Sequence, residues 1–324
     1  MSAVATTSKG ASQGAHPKPT GSGSQGTRRA RVLKRTWVGG GLALAVAALL
    51  YLSSGPGGAR FVLAAGVVLS LWSIVEVQRA GLFAGRGAAF AAAAATVTAA
   101  VLAFVWLDPG APRRFPLDWT PEQVWWRGLG GIVGAVALVG VVGTLPGVSA
   151  GPRPIEQRRA WPTLLLVFWL AAPLLTLYPL RHVLGVQGLI AFLLLAKFGD
   201  VAGYYVGNAI GETHPFPRIS PGKTTAGCVA SLVAGVAAGV ALHAGGLLPE
   251  GKLGLVSGAL AGLGVNLAAQ AGDLFESAAK RRVGIKDSAT TFGPSGGMLD
   301  LVDSILFAGP VALVTWPLLF HWPL

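Results

Sequence analysis

Asp300 and Asp303 stand one helical turn apart behind the pair Gly296 and Gly297, a spacing that sends two carboxylates to one face of a helix. Acids at i and i+3 can converge on a hard cation such as Mg2+, which takes oxygen ligands and bridges substrate phosphates. N-terminal capping accounts for Asp300 equally well, because acids are favoured in a first turn. Asp303 lies deeper. Upstream, AGDLFESAAKRR from Ala271 places Asp273, Ser277, Lys280 and Arg281 at i, i+4, i+7 and i+8, one face that presents a carboxylate, a hydroxyl and two cations. A solvated helix end explains Lys280 and Arg281. It does not explain Asp273, an acid at the lip of an apolar run where burying charge is costly. Lys286 and Asp287 follow in the connecting loop.

A second polar loop reads GNAIGETHPFPRISPGKTTAG, residues 207–227. Gly222, Lys223 and Thr224 invite comparison with a P-loop, but that motif needs a glycine where Pro217 stands and a strand upstream. What survives is a glycine-permitted turn presenting Lys223 as a cation and Ser220 and Thr224 as hydroxyls to an anion. A turn in a positively charged loop is the plainer reading of this segment alone. Lys197 and Asp200, at i and i+3 in LLLAKFGDVAGYYVGN, are placed to neutralise each other; Asp200, next to the 207–224 loop, is the better functional candidate.

These groups need a scaffold, and the composition says which. The 324 residues are 52% hydrophobic and 12% charged, with 47 glycines and a mean hydropathy of +0.61, which describes a polytopic membrane protein rather than a soluble domain. Apolar runs near 37–53, 61–77, 87–106, 128–149, 162–178, 183–206, 225–245, 253–272 and 302–322 predict an all-α chain of about nine transmembrane helices with a polar cleft on the cytoplasmic side. Gly130 and Gly134 suggest a helix-packing face, and Trp106, Trp119, Trp125 and Trp126 an interfacial aromatic belt. Residues 1–36, basic and without an acid, are expected as a disordered cytoplasmic tail. Residues 37–160 then form N-terminal transmembrane helices and 161–324 a C-terminal catalytic domain.

With the tail inside, 18 of the 25 Lys and Arg fall on its side of the membrane and six on the other, as the positive-inside bias requires. The 207–224 and 273–301 loops share that side. The formal charge of +12 therefore reads as membrane topology, not as nucleic-acid binding, for which no motif is present. The single Cys228 excludes an internal disulfide and is expected as a small core residue. No HExxH pair and no GxSxG elbow supports a zinc or serine hydrolase.

Taken together, Ser277, Lys280, Arg281, Lys286, Asp287, Gly296, Gly297, Asp300 and Asp303 resemble, without a gap, the signature of the phosphatidate cytidylyltransferases, the CDP-diacylglycerol synthases. GDLFES around Asp273, SPGKT from Ser220 to Thr224, and Asp200 with Tyr204 are similar to further motifs of that family. The chain departs at Ser295, usually His, at Leu301, usually Arg, and at Thr225 and Ala226, usually Trp and Glu, which leaves the lipid acceptor open. The resemblance implies transfer of a cytidylyl group from CTP to phosphatidic acid. Asp273, Asp300 and Asp303 would hold Mg2+, with a second cation left open. Lys223, Lys280, Arg281 and Lys286 would meet phosphate oxygens and Asp287 would orient a base or a ligand. Asp200, Ser220, Thr224, Ser277, Gly296 and Gly297 would line the nucleotide. The partners on this reading are CTP, phosphatidic acid or a related lipid phosphate, and membrane lipid, with a homodimer left open and no nucleic acid. The rival readings are the same chemistry on another lipid phosphate and a nonenzymatic or transport protein on the same scaffold.

Overall fold

The computed structural model describes residues 37, 40–82, 86–107, 121–144, 168–171, 173–289, 291–292 and 296–321. The expected tail, residues 1–36, lies outside them, as do Trp119 and Ser295. The described residues form helices α1 (Gly40–Leu52), α2 (Ala59–Arg79), α3 (Arg86–Leu107) and α4 (Pro121–Thr144), then a 3-10 turn at Pro173–Thr176. Helices α5 (Leu177–Ile210), α6 (Thr225–Ala244), α7 (Leu255–Arg282) and α8 (Met298–Leu319) complete the chain. No strand occurs among them, only an isolated bridge between Gly251 and Phe320.

Six helical segments among the described residues are long and apolar enough to cross a bilayer: Ala59–Arg79, Gly87–Val105, Phe168–Ile210, Thr225–Ala244, Leu255–Arg282 and Met298–Leu319. The chain is thus an integral membrane protein, all-helical over the described residues, and six of the expected spans have such a segment among those residues. The first apolar run yields a helix, Gly40–Leu52, shorter than the other six. The fifth and sixth runs belong to a single 43-residue segment, interrupted by the 3-10 turn and by Gly185 at φ 70°, a left-handed conformation that glycine adopts without a Cβ penalty.

Glycine also decides the tightest helix crossing. Helix α7 packs against both α6 and α8, and α6 against α5. At the α6–α7 crossing, a Cβ added to Gly258 would lie 2.6 Å from the Gly239 carbonyl oxygen, and Gly262 faces the Gly235 carbonyl. Backbones approach this closely only where side chains are absent. Gly130 and Gly134, the expected packing face, are exposed on α4, and a Cβ at either would meet nothing within 4 Å among the described residues. The tryptophan belt is likewise corrected: Trp125 is 2% exposed and sits in the core with Leu180, Phe192 and Trp316. Cys228 is half-buried rather than part of the core.

Gly258→Val should therefore lower the melting temperature in detergent, with a loss of about 1–3 kcal/mol from overpacking. Gly134→Ala should leave melting unchanged.

Candidate functional site

The C-terminal turns of α7 and the first turns of α8 carry the site. Asp273 and Glu276 on α7 and Asp303 on α8 each offer a carboxylate oxygen, and these atoms all lie within 4.8 Å of one another. Glu276 and Asp303 are buried, at 2% and 8% exposure, while Asp273 is half-buried. Three carboxylates cannot crowd together in an apolar surrounding without counter-charge. Lysines from three elements supply it. Lys223, from the turn before α6, lies 2.7 Å from Asp273 Oδ2. Lys280, one turn beyond Glu276 on α7, lies 2.8 Å from Glu276 Oε1. Lys197 on α5 lies 4.0 Å from Asp303 Oδ1, which also accepts the Ser304 N–H at 2.5 Å.

The three expected aspartates are thereby divided. Asp273 and Asp303 come together, but the third member is Glu276, and Asp300 is spent elsewhere. Its Oδ1 accepts from Lys280 Nζ at 2.5 Å. Its Oδ2 accepts the Gly297 N–H at 2.7 Å, the Ser288 hydroxyl at 2.7 Å and the Ser288 N–H at 3.1 Å. Asp300 sits at the third position of α8 and satisfies an N-terminal amide that has no partner within the helix. The capping alternative describes it, and side chains at i and i+3 here serve different tasks.

The remaining expected residues sort by place. Ser277 and Lys280 are buried on the inner face of α7. Arg281, expected on that face, is exposed and donates to the Ile219 and Ile285 carbonyls, so it ties the loop after α7 to the loop before α6. Thr224 is the N-cap of α6, its hydroxyl oxygen accepting the Gly227 N–H at 3.1 Å. Ser220 is half-buried in the same turn, where its carbonyl accepts the Lys223 N–H at 3.1 Å. Asp200 is exposed on α5, within electrostatic reach of Lys223, Lys197 and Asp273. Lys286 and Asp287 are exposed on the loop after α7. Gly296, at φ +81°, and Gly297 are buried at the start of α8. The expected Lys197–Asp200 pair is not the principal one, because Lys197 reaches instead to Ser304 Oγ at 2.6 Å and the Leu301 carbonyl at 3.2 Å.

Glu76 escaped the sequence reading altogether. It lies on α2, is 3% exposed, and points at the N-terminus of α8. Its Oε1 accepts the Met298 N–H at 2.9 Å and its Oε2 the Leu299 N–H at 3.0 Å. Thr291 Oγ1 and Trp72 Nε1 donate to it as well, at 3.3 and 3.2 Å, and Ser288 Oγ, whose one proton goes to Asp300 at the shorter distance, lies 3.3 Å from Oε2. Gly297 has no side chain because one would strike Glu76 and Ser288. The only sequence signal was an acid inside an apolar run.

Residues 33–319 match the Cytidylyltransferase family. The chain belongs to that family. It is 39% identical over 124 residues to the phosphatidate cytidylyltransferase of Aquifex aeolicus VF5, a match covering 37% of this chain and 45% of the relative. The phosphatidate cytidylyltransferase of Mycobacterium leprae is 36% identical over 180 residues, covering 54% of each. YnbB of Escherichia coli K12, an uncharacterised protein, is 35% identical over 153 residues, covering 47% of this chain and 50% of the relative. The chain thus spans about half the length of the curated relatives it matches.

Glu76→Ala would leave the Met298 and Leu299 N–H groups without an acceptor, at a cost of about 3 kcal/mol in all. Thermal unfolding in detergent should show that loss, and Glu76→Gln should recover part of it.

Proposed function

We propose that the chain transfers a cytidylyl group from CTP to phosphatidic acid or a related lipid phosphate, forming a CDP-lipid and pyrophosphate. The observation that carries this reading is the meeting of Asp273, Glu276 and Asp303 within 4.8 Å, each beside its own lysine, in a chain of the Cytidylyltransferase family. The 18-to-six division of Lys and Arg supports placing the N-terminus and the site on the cytoplasmic face of the inner membrane.

An all-oxygen set of three carboxylates suits Mg2+. Held by Asp273, Glu276 and Asp303, Mg2+ would offset charge on the triphosphate as the bond to pyrophosphate breaks. The chain's own residues do the rest. A lipid phosphate is already an oxyanion, so its oxygen can attack the α-phosphorus without a general base while pyrophosphate departs with the electron pair. The protein's task is alignment and charge compensation.

The lysine–carboxylate pairs supply that compensation by exchange. Without ligand, Lys223, Lys280 and Lys197 neutralise the acids. Were a cation and a polyphosphate to enter together, the acids would turn to the cation and the Lys223 and Lys280 ammonium groups to phosphate oxygens, so buried charge would stay matched. Thr224, which caps α6 through its oxygen, retains its O–H for donation. Ser220 and Ser277 lie on the same two elements as Lys223 and Lys280. Gly297 already gives its N–H to Asp300, which assigns it to positioning α8 rather than to the nucleotide.

Asp303→Ala should abolish CTP turnover in membranes while the protein remains inserted. Glu276→Gln should raise the half-saturating Mg2+ concentration about tenfold or more, whereas Asp300→Asn should lower the melting temperature and leave that concentration close to wild type. Undiminished turnover in Asp303→Ala would remove the metal role.

A further inference from the structure

Lys197 lies within the apolar segment Phe168–Ile210, where an ammonium group is expensive to keep. Leu194, Phe198, Val201, Tyr204 and Tyr205 are exposed along α5, and spacings of three and four residues put them on one outward stripe with Lys197. In a bilayer this stripe meets lipid. The Lys197 side chain is 44% exposed there, yet its Nζ bends inward to Ser304 Oγ and the Leu301 carbonyl and stops 4.0 Å from Asp303 Oδ1. It is a cation with one side on the lipid and the other on the carboxylate cluster.

Neither Ser304 Oγ nor the Leu301 carbonyl requires a charged donor; a neutral amide would serve both. Asp303 already takes the Ser304 N–H. Its acid, Asp303, stands 4.0 Å off, farther than the 2.7 and 2.8 Å at which Lys223 and Lys280 meet theirs, so this charge is the most loosely held of the three, and a long lysine stem is suited to swing its head between two environments. Lys223, by contrast, belongs to the polar 207–224 loop, and Lys280 is buried between Glu276 and Asp300.

We infer that Lys197 is the binding subsite for the phosphomonoester of the lipid acceptor, which enters sideways from the bilayer along the seam between α5 and α8. The acceptor's chemical identity rests on the cytidylyl-transfer reading; the subsite itself requires only an anionic lipid phosphate. Acyl chains would lie along the Leu194–Phe198–Val201 stripe while the phosphate draws Nζ away from Ser304. The shared chemistry of the two substrates is a phosphate, and the position of Lys197 favours the one that comes from lipid.

The test compares the full chain with Lys197→Met and with Lys197→Gln, which keeps a donor for Ser304 and Leu301 without the charge. Binding of a short-chain phosphatidic acid and of CTP is measured separately in detergent, with melting followed in each variant. Loss of one charge-assisted phosphate contact should weaken lipid binding about tenfold in both variants, weaken CTP binding, through the lost pair with Asp303, by much less, and be reversed in Lys197→Arg. Unchanged lipid affinity, or equal loss for lipid and CTP, would overturn the assignment. Lipid binding that depends on Lys197 in a protein forming no CDP-lipid would keep the subsite and discard the transferase reading.

Discussion

A buried carboxylate set against the start of a helix organises this molecule. The first amides of any helix lack partners within it and carry the positive end of its dipole. In α8 those of Met298 and Leu299 are met by Glu76, more than 200 residues earlier on α2. Because Thr291 also donates to Glu76 and Ser288 donates to Asp300, the loop that returns from α7 is held by the acids at the same helix start. The register of α8 against α7 follows, and with it the position of Asp303 opposite Asp273 and Glu276. Asp300 completes the arrangement from within, capping Gly297 and drawing Lys280 across. The N-terminal helices are therefore part of the site's support.

Burying this many charges is a poor way to stabilise a protein, since desolvation offsets most of what pairing returns. A cluster of four acids and three lysines, drawn from α5, α6's leading turn, α7 and α8, makes sense as an arrangement kept for its ligands. Its groups are held nearly in place before anything binds, so little reorganisation is left for the moment of reaction.

How much of this was legible in the sequence depended on distance along the chain. Asp273, Ser277 and Lys280 share one helix, so helical periodicity alone put them on one face. Lys223 and Asp303 were found because their own segments are polar, though nothing in the spacing paired them with Asp273 or Lys197. Glu76 and Lys197 were missed in role because each finds its partners more than 100 residues away, and a single sequence does not show which helix faces which. The same limit bears on the glycines: Gly130 and Gly134 have the right spacing for close approach, but none of the described residues comes near them, whereas Gly235 and Gly239 meet Gly258 and Gly262. Hydropathy also gave no sign of the break at Gly185, because a break within a greasy segment leaves hydropathy unchanged.

The pairing of each acid with a lysine also changes what a loss of activity can mean. Removing Lys280 would strip a cation from a phosphate, and would also leave Glu276 buried without its counter-charge and Asp300 without its donor. A defect in such a variant mixes ligand binding with the energy of the empty site. The two parts separate only where a substitution keeps the internal contacts and deletes the charge, or where a lysine's neighbours are satisfied without it. Asp303 keeps the Ser304 N–H but loses its ion pair when Lys197 is removed; that pair is the longest of the three, at 4.0 Å against 2.7 and 2.8 Å, and Lys197 is the most exposed of the three lysines. The least buried of those three ammonium groups is thus the one whose charge can be read most directly as a contact with substrate.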